Sequence, residues 1–269
     1  KIVVVNHALL AFDLVMGGGK LFGDYDALII DEAHQASKYF REAHTCRIHN
    51  KQPEALRKLL NETGLNVPET LEQNVNRFLG KLPEKGRVFK NDAAVETALD
   101  ASRDLLRLKQ QFILEGVWSD VLEAKEEEGD GSREAREVSR LRAAATLTQR
   151  MLKAVDVFVD LLDTKFDAAG GEVMTPQDFV SYVETRTARG EVHKEFIATP
   201  IEIGPLVVPA LKNIGTAVFT SATLATGGTF DYMLREFGLH PNDVAHQHVL
   251  PQPFNYKLNS CLYVSKRTA

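Results

Sequence analysis

The sequence predicts an α/β protein in which a small parallel sheet is split by a long, mainly helical insert. Two segments, DALII (residues 26–30) and TAVFTSATL (216–224), contain apolar runs. Acidic residues follow the first run directly, and small hydroxyl residues follow the second. Buried strands of a parallel sheet have this pattern. Between them lie two stretches whose apolar residues recur every three or four positions, which is typical of helices packed along a seam.

Composition restricts the class of protein. The chain has 269 residues, of which 44% are hydrophobic and 26% charged, enough for one large domain or two smaller ones. A net charge of -5 excludes a uniformly basic surface, so a nucleic-acid contact would need a local basic track. Two distant cysteines predict no disulfide framework and favour the cytoplasm. No apolar run approaches the ~20 residues that span a bilayer.

The remaining elements can be placed by local signals. KIVVVNHALLAFDLV at the start predicts a strand and then a helix, followed by the turn-prone GGGKLFGDY. PLVVPALKNIG predicts a helix, with Pro205 near its start and Gly215 just beyond its end. FVSYVETRT and VHKEFIATPIEI flank ARGE and alternate in polarity, which predicts a β-hairpin leading back to the sheet.

The middle of the insert predicts a helical hairpin. The polar EEEGDGS (residues 126–132) separates two apolar seams, and each arm would be ~40 Å long at 1.5 Å per residue. The seams consist of Ala98, Ala101, Leu105, Leu108 and Phe112 in the first arm, and Val138, Leu141, Ala145, Thr148, Leu152, Val155, Val159 and Leu162 in the second.

The segment LIIDEAHQ, residues 28–35, carries the clearest chemistry. Asp31 and Glu32 directly follow a predicted buried strand, and a nucleotide hydrolase needs such a pair. One carboxylate holds Mg²⁺ and the other orients and deprotonates the attacking water. His34 can bond a neighbouring segment. Acids also favour the first turn of a helix whatever the function, but the apolar run before DEAH favours the hydrolase.

LIIDEAHQ resembles the Walker B motif of superfamily-two helicases, and the wider pattern resembles the DinG and XPD group. VFTSATLA (218–225) is similar to the motif that couples ATP hydrolysis to strand movement in these enzymes. VVVNHALL (3–10) resembles the segment before the Walker B strand, and QPFNYKLNSCLYV (252–264) resembles the start of the second motor domain. Relatives in this group carry an arch domain between the Walker B and TSAT motifs.

The resemblance implies a partial RecA-like motor domain interrupted by an arch. Residues 1–37 and 196–228 would belong to the first motor domain, 38–195 to the arch and 229–269 to the second motor domain. It also implies ATP and Mg²⁺ as cofactors, single-stranded DNA as the track and 5′ to 3′ movement. Asp31 would bind Mg²⁺, Glu32 would be the general base, and His34 with Gln35 would link the nucleotide to a coupling segment. That segment is Thr220, Ser221, Ala222 and Thr223.

The sequence departs from the family pattern because it does not contain the phosphate-binding motif GxxxxGK[ST]. GGGKL (17–21) has Leu21 where GxxxxGK[ST] requires a hydroxyl, so we interpret it as a turn. We therefore expect the chain to be a central fragment that is inactive alone. The chain also lacks the four cysteines of an iron–sulfur cluster, and Cys46 and Cys261 are interpreted as isolated thiols.

Two further questions stay open at the level of sequence. Arg133, Arg136 and Arg140 share one helical face and could follow a DNA backbone, although Glu134 and Glu137 beside them favour a solvated face. The rival function is a non-catalytic, arch-dominated module that binds DNA or a protein partner. Nucleotide binding distinguishes the two functions.

Overall fold

The computed structural model describes residues 2–15, 21–61, 63–88, 92–117, 133–159, 179–188, 190–251 and 255–263. These residues form a mixed α/β structure with two small sheets, so the predicted class is confirmed. The helices are α1 (His7–Val15), α2 (Ala36–His44), α3 (Gln52–Leu60), α4 (Leu71–Gly80), α5 (Asp92–Leu114), α6 (Arg133–Val159), α7 (Gly204–Lys212), α8 (Asp231–Glu236) and α9 (Tyr256–Asn259). The strands are β1 (Ala27–Ile30), β2 (Cys46–His49), β3 (Gly86–Arg87), β4 (Phe179–Ala188), β5 (Glu191–Pro200) and β6 (Thr216–Phe219).

The first sheet consists of β1 and β6, which pair in parallel. Ala27 is opposite Thr216 and Ile30 is opposite Phe219. The pairing that the two apolar runs predict is therefore confirmed. It brings the end of LIID beside the end of AVFT, although about 190 residues separate them in sequence.

The predicted first strand is wrong. Residues 2–6 form no strand, and the side chains of Ile2 and Val4 are almost fully exposed. An apolar run becomes a strand only where a neighbour accepts its backbone hydrogen bonds, and no described residue pairs with this one. The helix that follows is present, and the Asn6 side chain caps it by accepting a hydrogen bond from the Leu9 amide at 2.9 Å.

The second sheet is antiparallel, with strand order β2, β5, β4, β3. Its centre is the predicted hairpin, in which β4 and β5 pair from Phe179 opposite Pro200 to Ala188 opposite Glu191. The sequence did not predict the two edge strands. They have four and two residues, too few to show an alternating pattern.

The long helices α5 and α6 pack against each other as the seams predict. The predicted seam residues of α5 are all buried, and Val159 at the end of α6 is half-buried. Leu162 and the polar segment 126–132 lie outside the described residues. The other predicted seam residues of α6 are buried as well: Val138, Leu141, Ala145, Thr148, Leu152 and Val155.

Two hydrophobic cores organise the described residues. The first, which we call the insert core, joins α3 to α6 with the antiparallel sheet, and Phe78, Phe158 and Phe196 make edge-on contacts at its centre. The second, which we call the site core, joins α1, α2, α7 and α8 to the parallel strands, and includes fully buried Ile30 and Phe237. No helix within the described residues combines the length and apolarity that a bilayer crossing requires.

Candidate functional site

The candidate site lies where the parallel strands end. The ladder continues one step beyond β1, since the Thr220 amide donates to the Ile30 carbonyl at 2.9 Å and the Ala33 amide donates to the Thr220 carbonyl at 3.0 Å. Thr220 is thus held on both sides, while Asp31 and Glu32 bulge out between the two bonded positions. The carboxyl edge of a parallel sheet is where α/β proteins bind ligands.

Glu32 has an unusual backbone conformation. Its φ of 47° and ψ of 42° place it in the left-handed region, and no other non-glycine residue in the described ranges has a positive φ. Such a conformation costs roughly 1–3 kcal/mol, and residues held in it concentrate at functional sites. Here it turns the chain sharply enough for Ala33 to rejoin the ladder, which leaves the Glu32 carboxylate projecting at the sheet edge.

The Ser221 hydroxyl is the centre of the hydrogen bonds at the site. It donates to Glu32 Oε2 at 3.2 Å and lies 2.8 Å from Nδ1 of His34. Nδ1 of His34 also lies 3.2 Å from Glu32 Oε2. While the hydroxyl gives its single proton to Glu32, a protonated Nδ1 donates to Ser221. The Thr223 amide donates to the same oxygen at 3.3 Å, and the Thr223 hydroxyl lies 3.4 Å away.

These contacts join the two predicted motifs directly. Residues of DEAH and TSAT that are 187 and 189 positions apart share hydrogen bonds. The Glu32 side chain nevertheless keeps 55% of its surface exposed and that of His34 keeps 38%. The Glu32 carboxylate is therefore oriented by protein groups and still accessible to water or a ligand.

A hydrogen bond to its carbonyl holds the backbone of Asp31, and its carboxylate is exposed to solvent. Nε2 of His7, in the first turn of α1, donates to the Asp31 carbonyl at 2.8 Å. Asp31 Oδ1 accepts a hydrogen bond from the Glu32 amide at 2.9 Å. The side chain of Asp31 thus has a defined direction and retains oxygens that could bind a cation.

Buried small residues allow the DEAH and TSAT segments to lie close together. Ala33 is the first residue of the 3₁₀ turn Ala33–Gln35 and Ala36 is the first residue of α2, and both are completely buried in the site core. Leu224 is also buried there and anchors the chain after TSAT. A larger side chain at Ala33 would overfill this core and displace the Ala33 amide from Thr220.

The structure does not bring every predicted site residue into this network. Gln35 and Ala222 are exposed, and the Gln35 amide contributes only a turn contact to the Glu32 carbonyl. Arg136 and Arg140 are exposed on α6, in the insert, and the side chain of Arg133 lies outside the described residues. Residues 16–20, which hold all three glycines of the run and Lys20, also lie outside them.

Sequence reasoning missed two supporting residues. His7 lies in the VVVNHALL resemblance but was given no role, although it holds Asp31. Arg41 gave no signal, because its partners are 159 to 195 residues away.

Asp13 anchors the segment before β1. It is completely buried in α1 and accepts hydrogen bonds from the Leu21 amide at 2.7 Å and the Tyr25 hydroxyl at 3.0 Å. Burial, and secondly this bond to Asp13, raise the pKa of Tyr25 to about 12. Tyr25 therefore stays protonated and keeps donating across the neutral range.

The arrangement provides a directed, solvent-accessible carboxylate pair beside a hydroxyl and an imidazole. Asp31 supplies oxygens of the kind that Mg²⁺ binds. Glu32 can accept a proton from a water molecule, and the Ser221 hydroxyl with His34 fixes the position of its carboxylate.

Comparison with known proteins adds one relationship. No protein-family model matches the chain. The chain is 26% identical, over 282 aligned positions, to the ATP-dependent DNA helicase YoaA of Haemophilus influenzae. The alignment covers 98% of this chain and 39% of that helicase, so the chain spans about two fifths of the relative's length. This similarity supports a relationship between the chain and a helicase family.

Proposed function

We propose that the chain is the central part of an ATP-dependent DNA helicase of the DinG and XPD type. The observation that carries this proposal is the hydrogen-bonded contact of DEAH with TSAT through Ser221. A hydrolase that drives movement needs its catalytic carboxylate linked to a segment that can transmit a change. The similarity to a DNA helicase supports the same function independently.

The residues present fit ATP and Mg²⁺. Asp31 would bind Mg²⁺, which neutralises phosphate charge when bound. Glu32 would act as general base, held at 3.2 Å from the Ser221 hydroxyl. His34 and Gln35 would relay the state of the nucleotide to Thr220, Ser221, Ala222 and Thr223. The phosphates themselves need backbone amides and a lysine, which we propose come from a part of the protein outside this chain.

Exposed apolar residues on the parallel sheet support the proposal that this motor domain is partial. Ile29 keeps 71% of its surface exposed and Val218 keeps 45%. Parallel sheets are normally covered on both faces, and two strands form a very small sheet. We therefore assign residues 1–37 and 196–228 to one RecA-like domain, 38–195 to an arch and 229–269 to a second motor domain.

We further propose that the chain contributes to a track for single-stranded DNA, with 5′ to 3′ movement. Arg136 and Arg140 are exposed at i and i+4 on α6, which suits contacts with a phosphate backbone. Arg133 extends the same face in sequence. The arch could also bind a protein partner.

The alternative is an arch-dominated binding module without catalysis. Its insert core is extensive, and it could serve as a scaffold for DNA or a protein. It gives no reason for the left-handed Glu32 or for the contacts that orient its carboxylate. We therefore favour the helicase.

Strand separation tests the proposal. The intact protein should unwind a duplex with a 5′ single-stranded tail in the presence of ATP and Mg²⁺, and should fail with ADP. A duplex with only a 3′ tail serves as the matched control and should remain paired. If neither duplex is unwound, and ATP is not hydrolysed with single-stranded DNA present, the helicase assignment is wrong.

Replacing Ser221 and Thr223 together by alanine should separate hydrolysis from unwinding. The change removes the hydroxyl between His34 and Glu32, but Nδ1 of His34 itself lies 3.2 Å from Glu32 Oε2 and still orients the carboxylate. We therefore expect most ATP turnover to remain while unwinding falls by roughly tenfold or more. Turnover and unwinding are measured on the same preparation. A proportional loss of both would contradict a coupling role for this segment.

A further inference from the structure

Arg41 lies in the middle of α2, and its guanidinium reaches groups from two distant parts of the chain. Nε donates to the Pro200 carbonyl at 3.2 Å, and Nη2 donates to the Ile201 carbonyl at 3.3 Å. Nη2 also donates to Glu236 Oε1 at 2.9 Å. A planar guanidinium can hold several acceptors at fixed angles, which a lysine ammonium cannot do. Arg41 therefore fixes α2, the end of β5 and α8 relative to one another.

Arg41 and its partner Ile201 are each connected to the candidate site by a short stretch of the chain. The helix α2 begins just after Gln35, so Arg41 lies about 9 Å along the axis from that residue at 1.5 Å per residue. Ile201 comes just before α7, which leads into β6 and then to Ser221. The Arg41 contacts and the His34 to Ser221 contact therefore close one ring of elements, formed by α2, the end of β5, α7 and β6.

Close packing makes this ring rigid. The hydroxyls of Thr45 and Thr199 lie 2.9 Å apart and join the end of α2 to β5. A Cβ atom placed on Gly204 would lie 2.5 Å from the Cα of Gly238, so the backbones at the start of α7 and after α8 touch. Packed interiors have little free volume in which a displacement can be lost. A shift of β5 would therefore pass to β6 and α2.

We infer that Arg41 is a positioning residue that transmits movement of the insert to the contact between Glu32, Ser221 and His34. This inference rests on the proposed function and adds a regulatory route to it. The strand β5 is the path by which the insert returns to the site, so DNA that displaces the insert pulls on the carbonyls held by Arg41. Arg41 acts through α2 and β6, without touching the nucleotide.

The test measures ATP turnover of the intact helicase, with and without a saturating single-stranded oligonucleotide. In Arg41→Ala we expect turnover without DNA to stay within about twofold of the wild type, while stimulation by DNA falls roughly fivefold or more. Arg41→Lys keeps a positive charge for Glu236 but loses the fork to the two carbonyls, so we expect partial stimulation. Arg57→Ala is the matched control, because it removes an ion pair with Glu72 inside the insert.

The outcomes separate this inference from the proposed function. If the wild-type protein does not hydrolyse ATP, or if its ATP turnover does not depend on Glu32, the proposed function itself is wrong. Suppose that the wild type turns over ATP normally, and that DNA stimulates turnover in Arg41→Ala and Arg41→Lys as much as in the wild type. That result would overturn only the Arg41 inference. Equal losses with and without DNA would overturn it as well, because they would indicate a purely structural role. If Arg41→Ala does not fold, Arg41→Lys and Glu236→Gln decide by the same criteria.

Discussion

Glu32→Gln in the intact protein should lower ATP turnover by ~100-fold or more while leaving the binding of Mg·ATP nearly unchanged. The amide keeps the shape of the side chain and can still accept a hydrogen bond from the Ser221 hydroxyl. It cannot take a proton from the attacking water. The left-handed backbone at this position should also be preserved, because glutamine and glutamate have similar backbone requirements.

The control for this substitution is Glu42→Gln. Glu42 lies on α2, pairs with Arg47 and has a side chain as exposed as that of Glu32. We expect its replacement to leave turnover close to that of the wild type. Wild-type turnover in Glu32→Gln would mean that another group acts as the base.

Phe158→Ala should destabilise the insert by about 3–5 kcal/mol, the range observed when a buried aromatic ring is removed. The ring of Phe158 lies 4.9 Å from that of Phe78 and 5.6 Å from that of Phe196, both at steep angles. Its loss would leave a cavity where α4, α6 and β5 meet. Hydrogen exchange of the intact protein measures the effect, as lost protection of the α6 amides.

Ile113→Ala is the matched control for the insert. Ile113 lies on α5 with 57% of its surface exposed, so its truncation should change protection little. Equal protection in Phe158→Ala and the wild type would mean that the aromatic contacts contribute nothing to the stability of the insert.

Patterns that depend on burial could be predicted from the sequence. The runs at residues 26–30 and 216–219 pair as parallel strands, as their branched side chains predict. Their burial is only partial within the described residues, where Ile30 is buried but Ile29 and Val218 are exposed. The seams of α5 and α6 are buried because their spacing places them on one helical face. The same reasoning failed at residues 2–6, where an apolar run lacks a described pairing partner.

Features that depend on long-range contacts could not be predicted. The strand β2 exists because Cys46 to His49 pair with β5, and nothing in those four residues alone requires a strand. The left-handed conformation of Glu32 arises from the ladder on either side, since glutamate has no preference for it. The resemblance of DEAH and TSAT to helicase motifs predicts that they belong to one site, but no sequence pattern predicts that Ser221 contacts both Glu32 and His34.

Equilibrium binding of Mg·ATP to the intact protein tests the central proposal most directly, that the DEAH segment is part of a nucleotide site. We expect the wild type and Glu32→Gln to bind with similar affinity, and Asp31→Asn to bind more weakly in the presence of Mg²⁺ because a cation ligand has lost its charge. The difference between wild type and Asp31→Asn should shrink when Mg²⁺ is removed. Failure of the wild type to bind Mg·ATP, or binding that is indifferent to Asp31, would contradict the proposal and favour the non-catalytic module.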